Sequence, residues 1–133
     1  GQKDYQQCKV IARLIELTGK QKEVKLKIVP TSREKDGLAM SSRNLRLSAA
    51  QRIQAPALFE SLMFVKKNFL KKPSTVLKEE AYQQLESKGF NVDYFEIADA
   101  VTLESSTDSH APLVALVAAS IGKIRLIDNL LLN

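Results

Sequence analysis

The spacing of apolar residues predicts a helix followed by a strand within the first 30 residues. Between Asp4 and Thr18, apolar side chains recur at intervals of three and four residues, which places them on one face of a helix. These positions are Tyr5, Cys8, Ile11 and Ile15. Gly19 ends the helix, and apolar residues then alternate with lysines up to Pro30, which predicts a half-buried strand. The apolar positions of that strand are Val24, Leu26 and Ile28.

Two further helical segments follow after residue 48. Ser48 and Gln51 have the spacing of a capping box, which marks the start of a helix. Pro56 lies inside this helical pattern, where it removes a backbone donor at a cost of about 3 kcal/mol. We therefore expect a kink or two abutting helices there. The Pro73–Ser74 pair starts another helix, and Gly89 ends it.

The period of the pattern changes after Gly89. Residues 92–98, 112–120 and 123–130 are rich in β-branched, aliphatic and aromatic residues and are separated by turn signals. They predict a small three-stranded antiparallel sheet with two or three helices packed on it. The fold class is therefore α+β, preceded by a helix–strand unit that is typical of α/β architecture.

Composition narrows the possible function classes. The chain has 133 residues and a net charge of +5. Residues 1–47 carry 11 Lys and Arg against 5 Asp and Glu, whereas residues 91–133 carry 2 against 6. This asymmetry indicates an anionic partner near the N-terminal third, with nucleic acid, nucleotide or small carboxylate all possible. The single cysteine, Cys8, excludes an internal disulfide and a cysteine-based zinc site, and it fits a reducing, cytoplasmic location. The longest nearly apolar stretches, residues 111–121 and 124–132, are too short to span a bilayer.

The connection at residues 30–47 shows no apolar periodicity and is long for a compact domain, which favours a binding role. Ser41, Ser42 and Arg43 place two hydroxyls and a guanidinium side by side, a combination suited to phosphate oxygens. Gly37 would supply the flexibility that a closing loop needs. The competing interpretation of this triplet is a solvated turn.

The first residues form a second candidate site. Unpaired N–H groups at the start of a helix favour an anion, and Lys3 adds a full charge. Gln7 lies one helical turn beyond Lys3 and can face the same ligand. The alternative is that Asp4 is only an N-cap and Lys3 only a surface charge.

Three motifs together resemble the C-terminal half of the pantoate:β-alanine ligase family. They are Gly-Gln-Lys-Asp-Tyr-Gln-Gln at 1–7, Asp-Gly-Leu-Ala-Met-Ser-Ser-Arg-Asn at 36–44, and Arg-Leu-Ile-Asp-Asn at 125–129. The resemblance implies an enzyme that acts in two steps. Pantoate carboxylate attacks the α-phosphate of ATP, with Mg²⁺ on the phosphates, to give pantoyl adenylate and pyrophosphate. The amine of β-alanine then displaces AMP to form pantothenate.

The resemblance also implies roles for individual residues. The residues implied to contact ATP are Gly1, Gln2, Lys3, Asp4, Ser32, Met40, Ser41, Ser42 and Arg43. Within this set Lys3, Ser41, Ser42 and Arg43 would be catalytic, Ser32 would lie near the adenine, and residues 40–43 would close over the nucleotide. Gln7 would hold pantoate. Arg33, Lys35 and Arg46 would support the phosphate site from its flanks, and no side chain of the chain is expected to ligate a metal.

The same resemblance divides the chain into three parts. Residues 1–30 would be the end of an α/β nucleotide-binding domain, residues 31–47 a hinge and phosphate-binding loop, and residues 48–133 a C-terminal α+β lid domain. We expect the full-length protein to be a homodimer and the 133-residue chain alone to be inactive. The chain departs from the family at Gln2, where Glu is usual, and at Arg46, where Tyr is usual.

Two other function classes remain open on sequence alone. A basic nucleic-acid-binding module would need aromatic residues among its basic ones, but Tyr5 is the only aromatic residue before Phe59. A non-catalytic interaction domain would fit the acidic last third. The lone histidine, His110, lies in a polar turn and is expected to be solvated.

Overall fold

The computed structural model describes residues 1–106 and 110–133. Four α-helices, one 3₁₀ helix and three strands occur in these residues. In chain order they are α1 (Tyr5–Leu17), a 3₁₀ helix (Ser42–Arg46), α2 (Ala49–Gln54), α3 (Ala57–Asn68), α4 (Ser74–Ser87), β1 (Phe90–Asp99), β2 (Leu113–Ile121) and β3 (Ile124–Leu131). No helix of the described residues is both long and apolar enough to span a bilayer.

The three strands form one antiparallel sheet in the order β1-β2-β3, with a bulge in β1 between Val92 and Tyr94. Helices α3 and α4 pack against one face of the sheet. The core between them contains Leu62, Val65 and Leu77, all fully buried. The α+β fold predicted from the sequence is therefore confirmed.

The second face of the sheet holds the start of α1. Tyr5 packs against Val114 and Leu116 of β2, and its hydroxyl donates a 2.7 Å hydrogen bond to the carbonyl oxygen of Ala100. Burial raises the pKa of the Tyr5 phenol, and the nearby Asp99 carboxylate adds to the rise. This contact places the N-terminal segment beside the sheet.

The helix boundaries follow from local signals that the sequence displays. The Ser48 hydroxyl accepts from the N–H of Gln51, and the Gln51 side chain accepts from the N–H of Ser48, so the capping box is formed. α2 ends before Pro56 and α3 begins directly after it, which confirms two abutting helices. Gly89 has a φ of +83° and ends α4.

The predicted strand at Val24, Leu26 and Ile28 is wrong. Residues 24–30 have no regular secondary structure, and the three apolar side chains are about two-fifths exposed. A strand needs a neighbour to pair with its N–H and C=O groups. None of the described residues pairs with this segment as a strand, and the sheet consists of β1, β2 and β3 alone. An alternating pattern alone does not form a strand.

Most of the apolar face of α1 is also exposed. Tyr5 and Cys8 are buried as expected, but Val10, Leu14 and Leu17 are 58–68% exposed. The helix itself matches its prediction, with Asp4 at the N-cap and Thr18 at the C-cap. Its first turn is therefore packed on the sheet, and its later turns present apolar side chains that no described residue covers.

Candidate functional site

One cleft brings the two predicted site segments together. It is bordered by the N-terminal segment, the loop at residues 31–47 and β3. The polar side chains that line it belong to Lys3, Ser41, Arg43, Asn44, Arg125 and Asp128. Lys3 and Ser41 are 38 positions apart in the sequence, so the fold creates this juxtaposition. Three of these six side chains are basic. Asp128 is paired with Arg33 and Arg125 is paired with Asp93, so Lys3 and Arg43 are the cations through which the cleft favours an anion.

Backbone contacts hold the N-terminal segment in place. The N–H of Gln2 donates to the carbonyl oxygen of Val29 at 2.8 Å, and the Cys8 thiol donates to the carbonyl oxygen of Gly1 at 3.3 Å. Asp4 occupies the N-cap position, but its side chain makes no capping hydrogen bond. Its Oδ1 lies 3.6 Å from Nζ of Lys3 instead. The interpretation of Asp4 as a simple N-cap therefore does not describe its side chain.

The loop at residues 31–47 is more ordered than its lack of periodicity suggests. Arg33 and Ala39 form an isolated β-bridge, and the N–H of Met40 donates to the carbonyl oxygen of Ser32 at 2.9 Å. Leu38 and Ala39 are buried, with exposed fractions of 3% and 5%. The first half of the loop is thus a small folded hairpin anchored in the core.

The structure gives Gly37 a steric role besides the flexibility expected from the sequence. It has a φ of +90°, and a Cβ at this position would overlap the ring of Phe59. The Arg33 guanidinium lies over the same ring at 4.2 Å from the centroid, and it donates to the carbonyl oxygen of Gly37 at 3.1 Å. Glycine is needed here because the loop makes a tight turn against an aromatic side chain.

The second half of the loop presents the Ser-Ser-Arg triplet. Ser41 is the N-cap of the 3₁₀ helix, and its Oγ accepts from the N–H of Arg43 at 3.2 Å, so its hydroxyl hydrogen remains available for another acceptor. Arg43 donates from Nη1 to the carbonyl oxygen of Arg125 at 2.9 Å, which fixes its guanidinium at the edge of β3. Ser42 is exposed and starts the 3₁₀ helix.

Arg33 does not support the phosphate site as expected. Its Nη1 and Nη2 donate to Oδ2 and Oδ1 of Asp128 at 2.6 and 3.0 Å, forming a two-pronged ion pair. The Asp128 side chain is 1% exposed. Burial raises the pKa of the Asp128 carboxyl, while the guanidinium and the N–H of Asn129 oppose that rise by favouring the carboxylate. The Arg33 guanidinium therefore holds the loop at residues 31–47 on β3.

The remaining candidates lie outside the lining of the cleft. Gln7 is exposed on α1, and Gly1, Ser32 and Met40 are exposed near its edges. Gln2 and Asp4 are half-buried beside Lys3. Lys35 and Arg46 are exposed and do not line the cleft either. His110 is exposed, as its polar turn predicted.

The sequence-based reasoning missed the contribution of β3. Asp128 and Asn129 are both 3% exposed, and Asn129 donates from Nδ2 to the carbonyl oxygens of Gln2 and Lys3, each at 2.9 Å. Their signal in the sequence is an acid and an amide within an apolar strand, since such residues are buried only when they are paired. The motif at 125–129 carries part of the resemblance, which implies no role for its individual residues.

Comparison with known proteins agrees with the motifs. The model of the family described as "Pantoate-beta-alanine ligase" matches residues 1–131. The pantothenate synthetase of Marinomonas sp. is 41% identical over 132 residues, which cover 98% of this chain and 46% of that protein. The pantothenate synthetase of Neisseria meningitidis serogroup B is 43% identical over 132 residues, covering 98% of this chain and 47% of that protein. The chain thus spans about half the length of these relatives.

Solved structures give the same result. Pantothenate synthetase from Thermus thermophilus superposes with a TM-score of 0.90 at 35% identity, covering 99% of this chain and 48% of that one. Pantoate-beta-alanine ligase from Francisella tularensis, complexed with beta-gamma ATP and beta-alanine, gives a TM-score of 0.70 at 28% identity and covers 99% of this chain and 42% of that one. Since the family model spans all but the last two residues, the chain belongs to the pantoate-beta-alanine ligase family.

Proposed function

We propose that this chain forms the phosphate-binding part of an ATP-dependent enzyme that joins pantoate and β-alanine. The observation that carries the proposal is the single cleft lined by Lys3, Ser41 and Arg43. A carboxylate that attacks a triphosphate meets strong charge repulsion. Fixed cations and hydrogen-bond donors around the phosphates offset that repulsion as charge develops in the transition state.

Each side chain has a distinct task in this proposal. Lys3 supplies an ammonium to the phosphates, and its side chain is 22% exposed, so it is both accessible and supported. The free hydroxyl hydrogen of Ser41 and the hydroxyl of Ser42 donate to phosphate oxygens. Arg43 uses one donor on the backbone of Arg125 and directs its remaining donors to the nucleotide.

The rest of the nucleotide lies along the edges of the same cleft. Gly1, Gln2 and Asp4 flank Lys3 and contact ATP through the N-terminal segment. The N–H of Met40 donates to the carbonyl oxygen of Ser32 at 2.9 Å, so Ser32, assigned to the adenine, is a neighbour in space of the loop at residues 40–43. Gln7, one turn further along α1, binds pantoate with its amide.

The reaction begins with attack of the pantoate carboxylate on the α-phosphate, which releases pyrophosphate and leaves pantoyl adenylate. The amine of β-alanine then attacks the acyl carbon and releases AMP. Mg²⁺ neutralises phosphate charge when it is bound with ATP. We assign Mg²⁺ to the phosphate oxygens of ATP.

Residues 1–30 end a nucleotide-binding domain in this proposal, residues 31–47 connect it, and residues 48–133 form the lid domain. The support is the apolar face of α1, where Val10, Leu14 and Leu17 remain exposed and suit packing against further protein. In this proposal the chain contributes one part of the pantoate and nucleotide sites, since it spans about half the length of its relatives. We expect no pantothenate formation by the 133-residue chain above a control without protein.

The decisive test uses the full-length protein that contains this chain. Pantoate-dependent exchange of pyrophosphate into ATP reports adenylate formation alone. Lys3→Ala and Ser42→Ala should each lower its rate at least about tenfold, which corresponds to about 1.4 kcal/mol of transition-state stabilisation. Lys67→Ala is the matched control, since Lys67 is an exposed lysine on α3 that does not line the cleft. Unchanged exchange in both site variants would refute the assignment.

A further inference from the structure

Asn129 makes an unusual contact with the N-terminal segment. Its Nδ2 donates to the carbonyl oxygens of Gln2 and Lys3, each at 2.9 Å, across 127 and 126 positions of sequence. The residue is 3% exposed. A side-chain amide has two N–H donors, and both are used on two consecutive peptide groups. The backbone of the segment that carries Lys3 is thereby held in one orientation relative to β3.

The orientation of the Asn129 amide is set by its surroundings. Two carbonyl oxygens face Nδ2, so a flipped amide would place Oδ1 against them and lose both hydrogen bonds. In the observed orientation Oδ1 is buried and has no hydrogen-bond partner among the described residues. An unsatisfied buried acceptor destabilises a protein. The observed orientation of the Asn129 amide therefore leaves Oδ1 without a hydrogen bond, while both N–H groups of Nδ2 donate to the N-terminal segment.

Strand β3 also holds the loop at residues 31–47. Oδ1 of Asp128 accepts from the N–H of Asn129 at 2.8 Å, and Arg33 donates both to Asp128 and to the carbonyl oxygen of Asn129, the latter at 3.2 Å. Arg43 donates to the carbonyl oxygen of Arg125. The loop and the N-terminal segment are thus both attached to residues 125–129 of β3. Their separation across the cleft is set by this short stretch.

We propose, on the basis of the function proposed above, that Asn129 is a positioning residue for Lys3 in adenylate formation. A lysine ammonium is a compact charge on a flexible four-carbon stem. Fixing the two peptide groups on either side of its Cα fixes the point and the direction from which that stem leaves the backbone. Small misplacements of a catalytic group lower rates strongly, so the clamp contributes to the rate without touching the nucleotide.

The alternative is that Asn129 only stabilises the fold. The two roles differ in how Asn129 depends on Lys3. A positioning residue acts through the ammonium, so its removal has no further effect once the ammonium is gone. A residue that only stabilises the fold lowers the rate by the same factor whether Lys3 is present or absent, because effects of independent sites multiply.

The test measures pantoate-dependent pyrophosphate exchange in the full-length protein. Asn129→Asp keeps the size of the side chain but replaces the donor group with an acceptor, and Asn129→Ser shortens the side chain so that it cannot reach the carbonyls. With Lys3 present, each variant should lower kcat at least about tenfold. In the Lys3→Ala background each should change kcat by less than about twofold. Thermal unfolding followed by circular dichroism checks whether each variant is folded.

Asn133→Asp is the matched control. Nδ2 of Asn133 donates to the carbonyl oxygen of Ala111, and its Oδ1 accepts from the N–H of Leu113, so it is a second amide clamp that lies beyond the cleft. It should leave kcat unchanged. Equal losses in both Lys3 backgrounds, or unfolding of both Asn129 variants, would overturn the positioning role while leaving the wild-type exchange intact. Absence of exchange in the wild type would refute the proposed function and this inference together.

Discussion

Removing Arg33 should destabilise the protein more than removing its partner. Arg33→Ala leaves the Asp128 carboxylate, whose side chain is 1% exposed, without a counter-charge. Breaking a buried ion pair from one side in this way costs about 3–5 kcal/mol. Asp128→Asn instead leaves an amide that can still accept from the guanidinium. Since the Arg33 side chain is 19% exposed and can reach water, we expect a smaller loss of about 1–3 kcal/mol.

The cost of Arg33→Ala should also depend on pH. Burial already raises the pKa of the Asp128 carboxyl when the guanidinium is present, and removing that cation raises it further. Between the unfolded pKa of about 3.9 and the higher folded pKa, the folded state binds more protons than the unfolded state. The free energy of unfolding of the variant therefore increases as the pH falls through this window, by at most about 1.4 kcal/mol per pH unit.

Urea unfolding followed by circular dichroism at pH 7 and pH 5 measures both effects. The double variant Arg33→Ala with Asp128→Asn is the control, because it loses the same packing on Phe59 but has no carboxylate to titrate. Its difference from Asp128→Asn should not change between the two pH values. An Arg33→Ala penalty that is equal at both, or smaller than that of Asp128→Asn at pH 7, would refute the reasoning.

Three further predictions concern the elements around the cleft. Gly37→Ala should cost at least about 2 kcal/mol in urea unfolding, because of its positive φ and the contact with Phe59; combining it with Phe59→Ala should relieve only the contact. Ser48→Ala should cost about 0.5–2 kcal/mol by loss of the cap of α2, measured the same way. The hydrogen bond from Arg52 lowers the pKa of Asp36, so the stabilisation that this carboxylate contributes is present above the unfolded pKa of about 3.9 and is lost as the pH falls below it. In Asp36→Asn the free energy of unfolding should therefore decrease less steeply with falling pH in the acid range.

The sequence predicted the elements whose signals are local. Ser48 with Gln51 marked the start of α2, Pro56 separated α2 from α3, and Gly89 ended α4. Each of these signals acts within a few residues, so it needs no knowledge of the rest of the fold. The strand predicted from Val24 failed for the opposite reason. Strand formation depends on a pairing partner, and alternation carries no information about whether one is present.

The same distinction between local signals and features that depend on the whole fold applies to the residues of the candidate site. The chemistry of Lys3 and Arg43 predicts that they bind an anion, and both residues line the cleft. The prediction that Arg33 supports the phosphate site is wrong, because the chemistry of a guanidinium alone does not show whether its partner is a phosphate or a carboxylate. Its actual partner, Asp128, lies 95 positions away. Only the fold brings that carboxylate to the loop.

The attachment of both site segments to β3 also limits how the loop would close over the nucleotide that we propose it binds. Movement of the loop alone would separate Arg33 from a buried carboxylate and Leu38 from the core, and each loss is large relative to the roughly 5–15 kcal/mol stability of a typical domain. Lys3 is tied to the same strand through Asn129. A closing motion that keeps these contacts is therefore lower in energy, and in such a motion the loop, β3 and Lys3 would move as one unit.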